Sequence, residues 1–327
     1  MLNSLINLVK LSFCKKIIII TNTLQMLNLV EFIHAHKSFY KDFNNFIIIC
    51  PYTNKDAFKK IKVCHRELIK KNNLILNFQN KIEIKLLYLI FYIKKFFNLG
   101  IDQIVIGNYY SYLNQQFAKI SREVYVLDDG TNVLLKKNLQ LLKKSKYSFF
   151  SIFEKKFFQK EHYKKNDFKF LKNKFLYKKK YSDNILILGK PIVESGFFKE
   201  PQYDFLIEYI KNKFKNRNLY YFPHPKENSN ILEKKFGSIK FIKSKYPVEI
   251  YFLKMKKTPK TIVSFNSSAV IPLKLLDRKL NIFNIYFKIR LDKNHPWRLN
   301  LKRELNTKKY FESHLSIKSK TLKIPDL

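Results

Sequence analysis

Short runs of β-branched and aromatic residues recur along this chain between longer stretches with helical spacing, and that alternation most limits the folds open to it. "KIIIIT" (Lys16–Thr21), "FIIIC" (Phe46–Cys50), "LILNF" (Leu74–Phe78), "QIVIG" (Gln103–Gly107) and "EVYVLDD" (Glu123–Asp129) read as strands in the first half. "NILILG" (Asn184–Gly189), "LYYFP" (Leu219–Pro223), "IKFIK" (Ile239–Lys243), "TIVSF" (Thr261–Phe265) and "LNIFNIYF" (Leu280–Phe287) read so in the second. Amphipathic stretches such as "LQMLNLVEFIHAHK", "EIKLLYLIFYIKKFFNLG" and "YDFLIEYIKNKFK" separate them. Strands alternating with helices predict α/β units around parallel sheets. At 327 residues the chain is long enough for two domains, each with its own core.

The stretch from Lys136 to Lys180 differs from both halves. It carries 16 Lys against three acids (Glu154, Glu161, Asp167) with eleven Phe or Tyr among them, and no glycine or proline. Without breakers it reads as a helical linker, and its lysines and aromatics together predict a segment that docks on an anionic membrane surface. The expected organisation is therefore a Rossmann-like domain over 1–135, a basic aromatic linker over 136–180 and a second Rossmann-like domain over 181–327. Two such halves describe a GT-B architecture, with the active site in the cleft between them, faced by strand-end loops.

Lys and Arg number 64 against 25 Asp and Glu, a formal charge of +39. Such a field favours anionic partners: nucleic acid, acidic lipid headgroups or a phosphorylated substrate. The accompanying wealth of Ile, Asn, Phe and Tyr is also what an AT-biased coding sequence produces. Cys14, Cys50 and Cys64 form no C-x-x-C pair, which fits a reducing compartment and neither a disulfide framework nor a zinc site. The start, "MLNSLINLVKLSFCKK", lacks the basic leader and small-residue cleavage site of a signal peptide. "LLYLIFYI" (Leu86–Ile93) stops at Lys94, short of the roughly 18 apolar residues a spanning helix needs. These features predict a cytoplasmic protein that touches a membrane without crossing it.

Six glycines leave no G-x-G-x-x-G and no Walker loop, which argues against dinucleotide and ATP enzymes. There is no D-x-D and no His/Cys/Asp cluster at metal-ligand spacing, so neither a metal nor another cofactor is expected. Three strand-end loops remain. In "VLDDGTN", Asp128 and Asp129 end a strand before Gly130; adjacent carboxylates repel, so at least one should hold its proton more tightly, which suits a general base. In "YYFPHPKENS", His224 stands between Pro223 and Pro225 with Lys226 next, a polar corner fit for a phosphate ligand or proton donor. In "SFNSSAVIP", Ser267 and Ser268 precede a helical stretch, where hydroxyls and free amides bind anions. Helix capping is the competing reading for the aspartates and the serines, and an ordinary loop histidine for His224.

Taken together, an acid pair, then H-P, then S-S, about 95 and 43 residues apart, resembles the motif set of bacterial sialyltransferases. "ITNTLQMLNLVEFI" (Ile20–Ile33) is similar to that family's opening strand and acceptor-side loop. "VIGNYYS" and "LGKPIVESG" fall where further strand-end loops would lie. The chain resembles the lipooligosaccharide sialyltransferases of glycosyltransferase family 52, with bacterial polysialyltransferases as relatives, over nearly its whole length.

The resemblance implies an inverting, metal-independent transfer of sialic acid from CMP-sialic acid to a terminal sugar, galactose, of a surface glycan. Asp128 or Asp129 would be the base and His224 would assist departure of CMP. Pro225, Lys226, Ser267, Ser268 and Gly189 would lie on the donor side, and Asn22, Gln25 and Tyr109 on the acceptor side. Glu194 in "LGKPIVESG" is an alternative base. A nucleotide-sugar donor, a glycan or glycolipid acceptor, an anionic inner-membrane surface and a second copy of the chain are the expected partners. A second H-P, His295–Pro296, follows no strand pattern and precedes no serine pair, so it carries no role. Other readings stay open: a GT-B transferase using another nucleotide sugar such as CMP-Kdo, a polysialyltransferase, and a basic nucleic-acid-binding protein, although no RNP-like or helix-turn-helix signature is present.

Overall fold

The computed structural model describes residues 14–97, 99–135, 140, 147–158, 162–176, 179–287 and 298–323. All ten stretches read as strands are strands, and three more join them among the described residues. In chain order they are β1 (Lys16–Ile19), β2 (Phe46–Pro51), β3 (Ile75–Phe78), β4 (Ile101–Ile106), β5 (Ser121–Val126), β6 (Ser148–Ser151), β7 (Tyr163–Lys165), β8 (Lys180–Leu188), β9 (Leu219–Phe222), β10 (Lys240–Phe241), β11 (Lys257–Ser264), β12 (Asn281–Phe287) and β13 (Ser319–Leu322). The chain divides into two units, Met1–Leu171 and Lys172–Leu327.

The first unit is built on a sheet of order β3-β2-β1-β4-β5-β6-β7. Its ladders are parallel; Ile18 of β1, for example, pairs with Ile48 on one side and Val105 on the other. Ile17, Ile18, Ile48, Ile104, Val105 and Ile106 are wholly buried, as strands covered by helices on both faces require. The helix Thr23–Ala35, capped by Asn22, buries every residue from Gln25 to Ile33. It can do so because a second layer covers its outer side. Glu31 accepts the backbone N–H groups of Phe170 and Leu171, and His34 stacks on Phe170.

The second unit carries the order β10-β9-β8-β11-β12-β13, again parallel. Its core joins Ile185 and Ile187 of β8, Tyr221 of β9, Val263 and Phe265 at β11 and Ile285 of β12 to Leu206, Ile207 and Ile210 of the helix Glu200–Lys213.

The reading of 136–180 as a helical linker is corrected. Of its described residues, β6 and β7 extend the first sheet, Lys169–Phe175 forms a short α-helix and Gln140 is helical as well. The reason lies in the aromatics: Phe149, Phe150, Phe153, Phe158 and Phe168 are all buried, and a strand such as "SFFS" delivers them to the core where a solvated helix would not. The division between the units accordingly falls at 171/172, and β8 already begins at Lys180.

In each sheet the strand order reverses at one place, between β1 and β4 in the first and between β8 and β11 in the second. At such a reversal the loops leaving the carboxyl ends of neighbouring strands part, and there open α/β sheets bind ligands. This is what positions the chemistry.

Candidate active site

In the first unit, Asn22 and Gln25 follow β1, Asn108 follows β4 and Asp129 follows β5, so three strand ends at the switch point contribute side chains. They converge on one carboxylate. Asp129 Oδ1 accepts from Asn22 Nδ2 at 2.5 Å and from Gln25 Nε2 at 2.7 Å. Its Oδ2 accepts from Asn132 Nδ2 at 3.2 Å and Asn108 Nδ2 at 3.4 Å. Four amide donors thus orient its two oxygens, a setting that suits a carboxylate.

The donors are themselves fixed. Asn22 Oδ1 caps its helix by accepting the Gln25 N–H at 2.9 Å, and Gln25 Oε1 accepts the Thr21 N–H at 2.7 Å. Gln25 can lie there only because residue 107 is glycine: a Cβ on Gly107 would overlap the Gln25 side chain. Asn108 Oδ1 in turn accepts the Ser111 N–H at 3.0 Å.

Asp128 points the other way. It is 1% exposed; Oδ1 accepts from Ser151 Oγ at 2.6 Å and Oδ2 from the Ile152 N–H. Burial pushes its carboxyl up to about 7, against the opposing pull of those two hydrogen bonds and of Lys165; the charge of Asp129 adds to the rise. One of the pair does hold its proton more tightly, but desolvation is the leading cause, with mutual repulsion behind it. Asp128 ties the end of β5 to the end of β6, while Asp129 is the half-buried carboxylate at the switch point.

Tyr109 is half-buried, its ring edge-on to Tyr147 at 5.2 Å between centroids. The neighbouring Tyr110 is the tyrosine that senses both aspartates, its phenol held well above the usual range first by burial and then by their charges.

In the second unit, the loop after β9 carries His224, half-buried, with Pro225 and Lys226 exposed. His224 Nδ1 accepts the Lys226 N–H at 3.2 Å. An imidazole that accepts at Nδ1 keeps its proton on Nε2, so the neutral ring is already a donor there.

The loop is held by Glu227, a residue the motif reading passed over. Its carboxylate accepts the His224 N–H at 2.6 Å and the Tyr221 hydroxyl at 2.7 Å. Burial raises Glu227 to about 7, opposed by the hydrogen bonds from Tyr221 and the His224 backbone. Gly189, at the end of β8, leaves the space: a Cβ there would overlap Glu227 and crowd the His224 nitrogen. Gly189 thus shapes the histidine loop through backbone clearance. Glu194 is exposed and accepts the Asn228 N–H at 3.1 Å, bracing the same loop from the β8 side.

Across the switch point, Lys190 donates to Glu304 at 2.7 Å, and Asn266 Nδ2 donates to the same oxygen at 2.7 Å. Burial lowers the Lys190 ammonium and Glu304 offsets this. Asn266 has φ +57°, a strained conformation outside glycine, maintained by Asn284, which accepts its N–H at 2.9 Å. That turn presents Ser267 and Ser268. Ser267 Oγ accepts the Ala269 N–H at 3.4 Å within the turn, and Ser268 is exposed. Beyond the histidine loop, at the end of β10, Lys243, Lys245, Lys254 and Tyr246 line a basic depression of about 630 Å³.

His295 and Pro296 lie outside the described residues. Among the described residues, no group of three or more His, Cys, Asp or Glu could hold a metal ion.

No protein-family model matches the chain, and no curated protein matches it in sequence. Solved structures do match in fold. UDP-GlcNAc 2-epimerase from Methanocaldococcus jannaschii, in complex with UDP-GlcNAc and UDP, superposes with a TM-score of 0.50 at 14% identity, covering 93% of each chain. A sialyltransferase from Photobacterium damsela gives 0.48 at 10% identity over 94% of this chain and 81% of that one. MurG from Acinetobacter baumannii gives 0.47 at 10% identity over 94% and 85%. The fold is of the GT-B type.

Proposed function

We propose that the chain is an inverting glycosyltransferase that moves sialic acid from CMP-sialic acid to a terminal galactose of a bacterial surface glycan such as lipooligosaccharide, without a metal ion. The observation that carries this reading is the amide-bound Asp129 at the switch point of the first sheet. A half-buried carboxylate with both oxygens oriented by amide donors is what a general base for an alcohol requires. The motif order of the sialyltransferases of glycosyltransferase family 52 supplies the donor class and, by resemblance, the leaving-group role of His224.

In the proposed reaction the acceptor hydroxyl gives its proton to Asp129 as its oxygen bonds to the anomeric carbon of sialic acid. The bond from that carbon to the CMP phosphate oxygen breaks on the opposite face, and the configuration inverts. His224 Nε2–H donates to the departing phosphate, where charge develops. Lys226, Pro225 and the Ser267–Ser268 turn line the donor side, Ser268 offering its hydroxyl and Lys226 its ammonium. The basic depression after β10 adds positive charge in the same unit for an anionic nucleotide. Asn22 and Gln25 act on the acceptor side through Asp129, and Glu194 braces the histidine loop.

The test is incubation of the chain with CMP-sialic acid and a panel of galactosides, with and without EDTA, read by mass spectrometry. Transfer that survives EDTA and disappears in Asp129→Asn supports the reading. Transfer from CMP-Kdo in place of CMP-sialic acid would move the donor class. Absence of any transfer, with retention on immobilised nucleic acid, would replace the enzyme by a binding protein.

A further inference from the structure

The helix Lys81–Phe96 is apolar on two opposite sides. Ile84, Leu87 and Phe91 face the core. On the other side Ile82, Leu86, Leu89, Ile93 and Phe96 stand at i, i+4, i+7, i+11 and i+14, a single stripe, exposed by 63, 44, 51, 47 and 82%. Phe97, 65% exposed, continues it. Of the thirteen exposed large apolar side chains among the described residues, eight lie between 82 and 99, so this is one patch and not scattered exposure.

We propose that this helix lies in the plane of an anionic membrane surface, its outer stripe at headgroup depth. Charge favours this occupant. Lys81, Lys85 and Lys95 are exposed on the helix, and Glu83 is its one acid. Anionic lipid attracts that edge, whereas a second copy of a chain with formal charge +39 would be repelled as its own lysines approached. An in-plane helix also fits the length: no described helix is long and apolar enough to cross a bilayer.

The structure moves the membrane contact away from the segment that its composition suggested. The aromatics of 136–180 that would insert, Phe149, Phe150, Phe153, Phe158 and Phe168, are consumed by the core of the first unit. Helix Lys81–Phe96 follows the carboxyl end of β3, and Asn80 caps it, so its first turn starts at the edge of the sheet that carries Asp129. The surface stands on exposure and charge and does not rest on the transfer reading.

The experiment is flotation of the full chain with vesicles of phosphatidylcholine alone or with phosphatidylglycerol added. Wild type should float with the anionic vesicles and lose them at high salt. Leu89→Gln/Ile93→Gln/Phe96→Gln and, separately, Ile82→Gln/Leu86→Gln should each lower the partition coefficient, by about tenfold per side chain removed from lipid. Lys155→Gln/Lys156→Gln should change it little. Because the replaced side chains are exposed, unfolding transitions should stay at the wild-type position, which separates lost docking from lost fold. Equal flotation of both stripe variants and wild type would overturn the proposal. So would sedimentation showing that the stripe variants convert a stable dimer to monomer while wild type ignores the vesicles.

Discussion

A Cβ on Gly107 would occupy the space taken by the side chain of Gln25. The glycine at the end of β4 is therefore the reason Gln25 can reach Asp129 from the start of its helix. Gly107→Ala should push Gln25 off the carboxylate and lower kcat about 10²-fold, with a smaller effect on the donor KM, since misplacement near the chemistry acts mainly in the transition state. Steady-state kinetics of this variant check it; an unchanged kcat would show that Gln25 does not position the base.

The two adjacent aspartates should fail in different ways. Asp129→Asn keeps the shape and removes the base, so transfer should fall by about 10² to 10⁴ with the unfolding midpoint nearly unchanged. Asp128→Ala leaves Ser151 and the Ile152 N–H without their acceptor in a buried place and should lower stability by about 1–3 kcal/mol. Activity and urea unfolding measured side by side distinguish them, and the reverse pattern would exchange their roles.

Stability should depend on pH through two buried carboxyls. Asp128 moves from 3.8 in the unfolded reference to about 7, and Glu227 from 4.5 to about 7, both chiefly by burial. Each binds its proton more tightly when folded, so its contribution is full below about pH 4 and is lost as pH rises towards 7. Glu227→Gln and Asp128→Asn should therefore gain stability relative to wild type across that window and level off above it. Unfolding curves between pH 4.5 and 8, read for the transition of the unit concerned, check this. A gap independent of pH would contradict the protonation argument.

His224→Ala should cost about 10² to 10³ in turnover without unfolding the second unit, because the half-buried ring contributes little to the core. His295→Ala should leave transfer as it was. Kinetics of the two variants, with circular dichroism as the fold control, decide between the two histidine–proline pairs. An equal loss in both would remove His224 from its assigned role.

Ten of the thirteen strands were legible because a run such as "NILILG" or "QIVIG" has few alternatives to a buried strand. The three that were not, β6, β7 and β13, are short and rich in Ser or Lys. β7 and β13 close the outer edges of their sheets, where polar side chains are tolerated and the apolar signal fades. β6 was hidden by the lysines around it, whose charge was read in place of the alternation of Phe149 and Phe150 with serine. At the site, the acid pair and the H-P histidine were visible because their chemistry is distinctive. Asn108, Asn132, Glu227 and the Lys190–Glu304–Asn266 link were not, because asparagine is common in this chain and none of these stands at a telling spacing. The glycines were the available signal: in a sequence with only six, Gly107 and Gly189, each closing an apolar strand run, mark two of the places where another side chain needs room.

The Asp128 carboxylate also bears on how the first unit breathes. Among the described residues, two pairs, Tyr125 with Ser148 and Val126 with Phe149, connect β5 to β6, and β7 pairs with β6. The bonds from Ser151 and Ile152 to Asp128 act as an extra rung beyond the end of that short ladder. The two outer strands then form a flap held by that acid group, by the buried bond from Asn166 to Asn28 and by the packing of Phe149 and Phe150, whose local opening is distinct from unfolding of the Ile-rich centre. In deuterium exchange, the Ile152 amide becomes a local gauge of that opening, reporting on the flap independently of global unfolding.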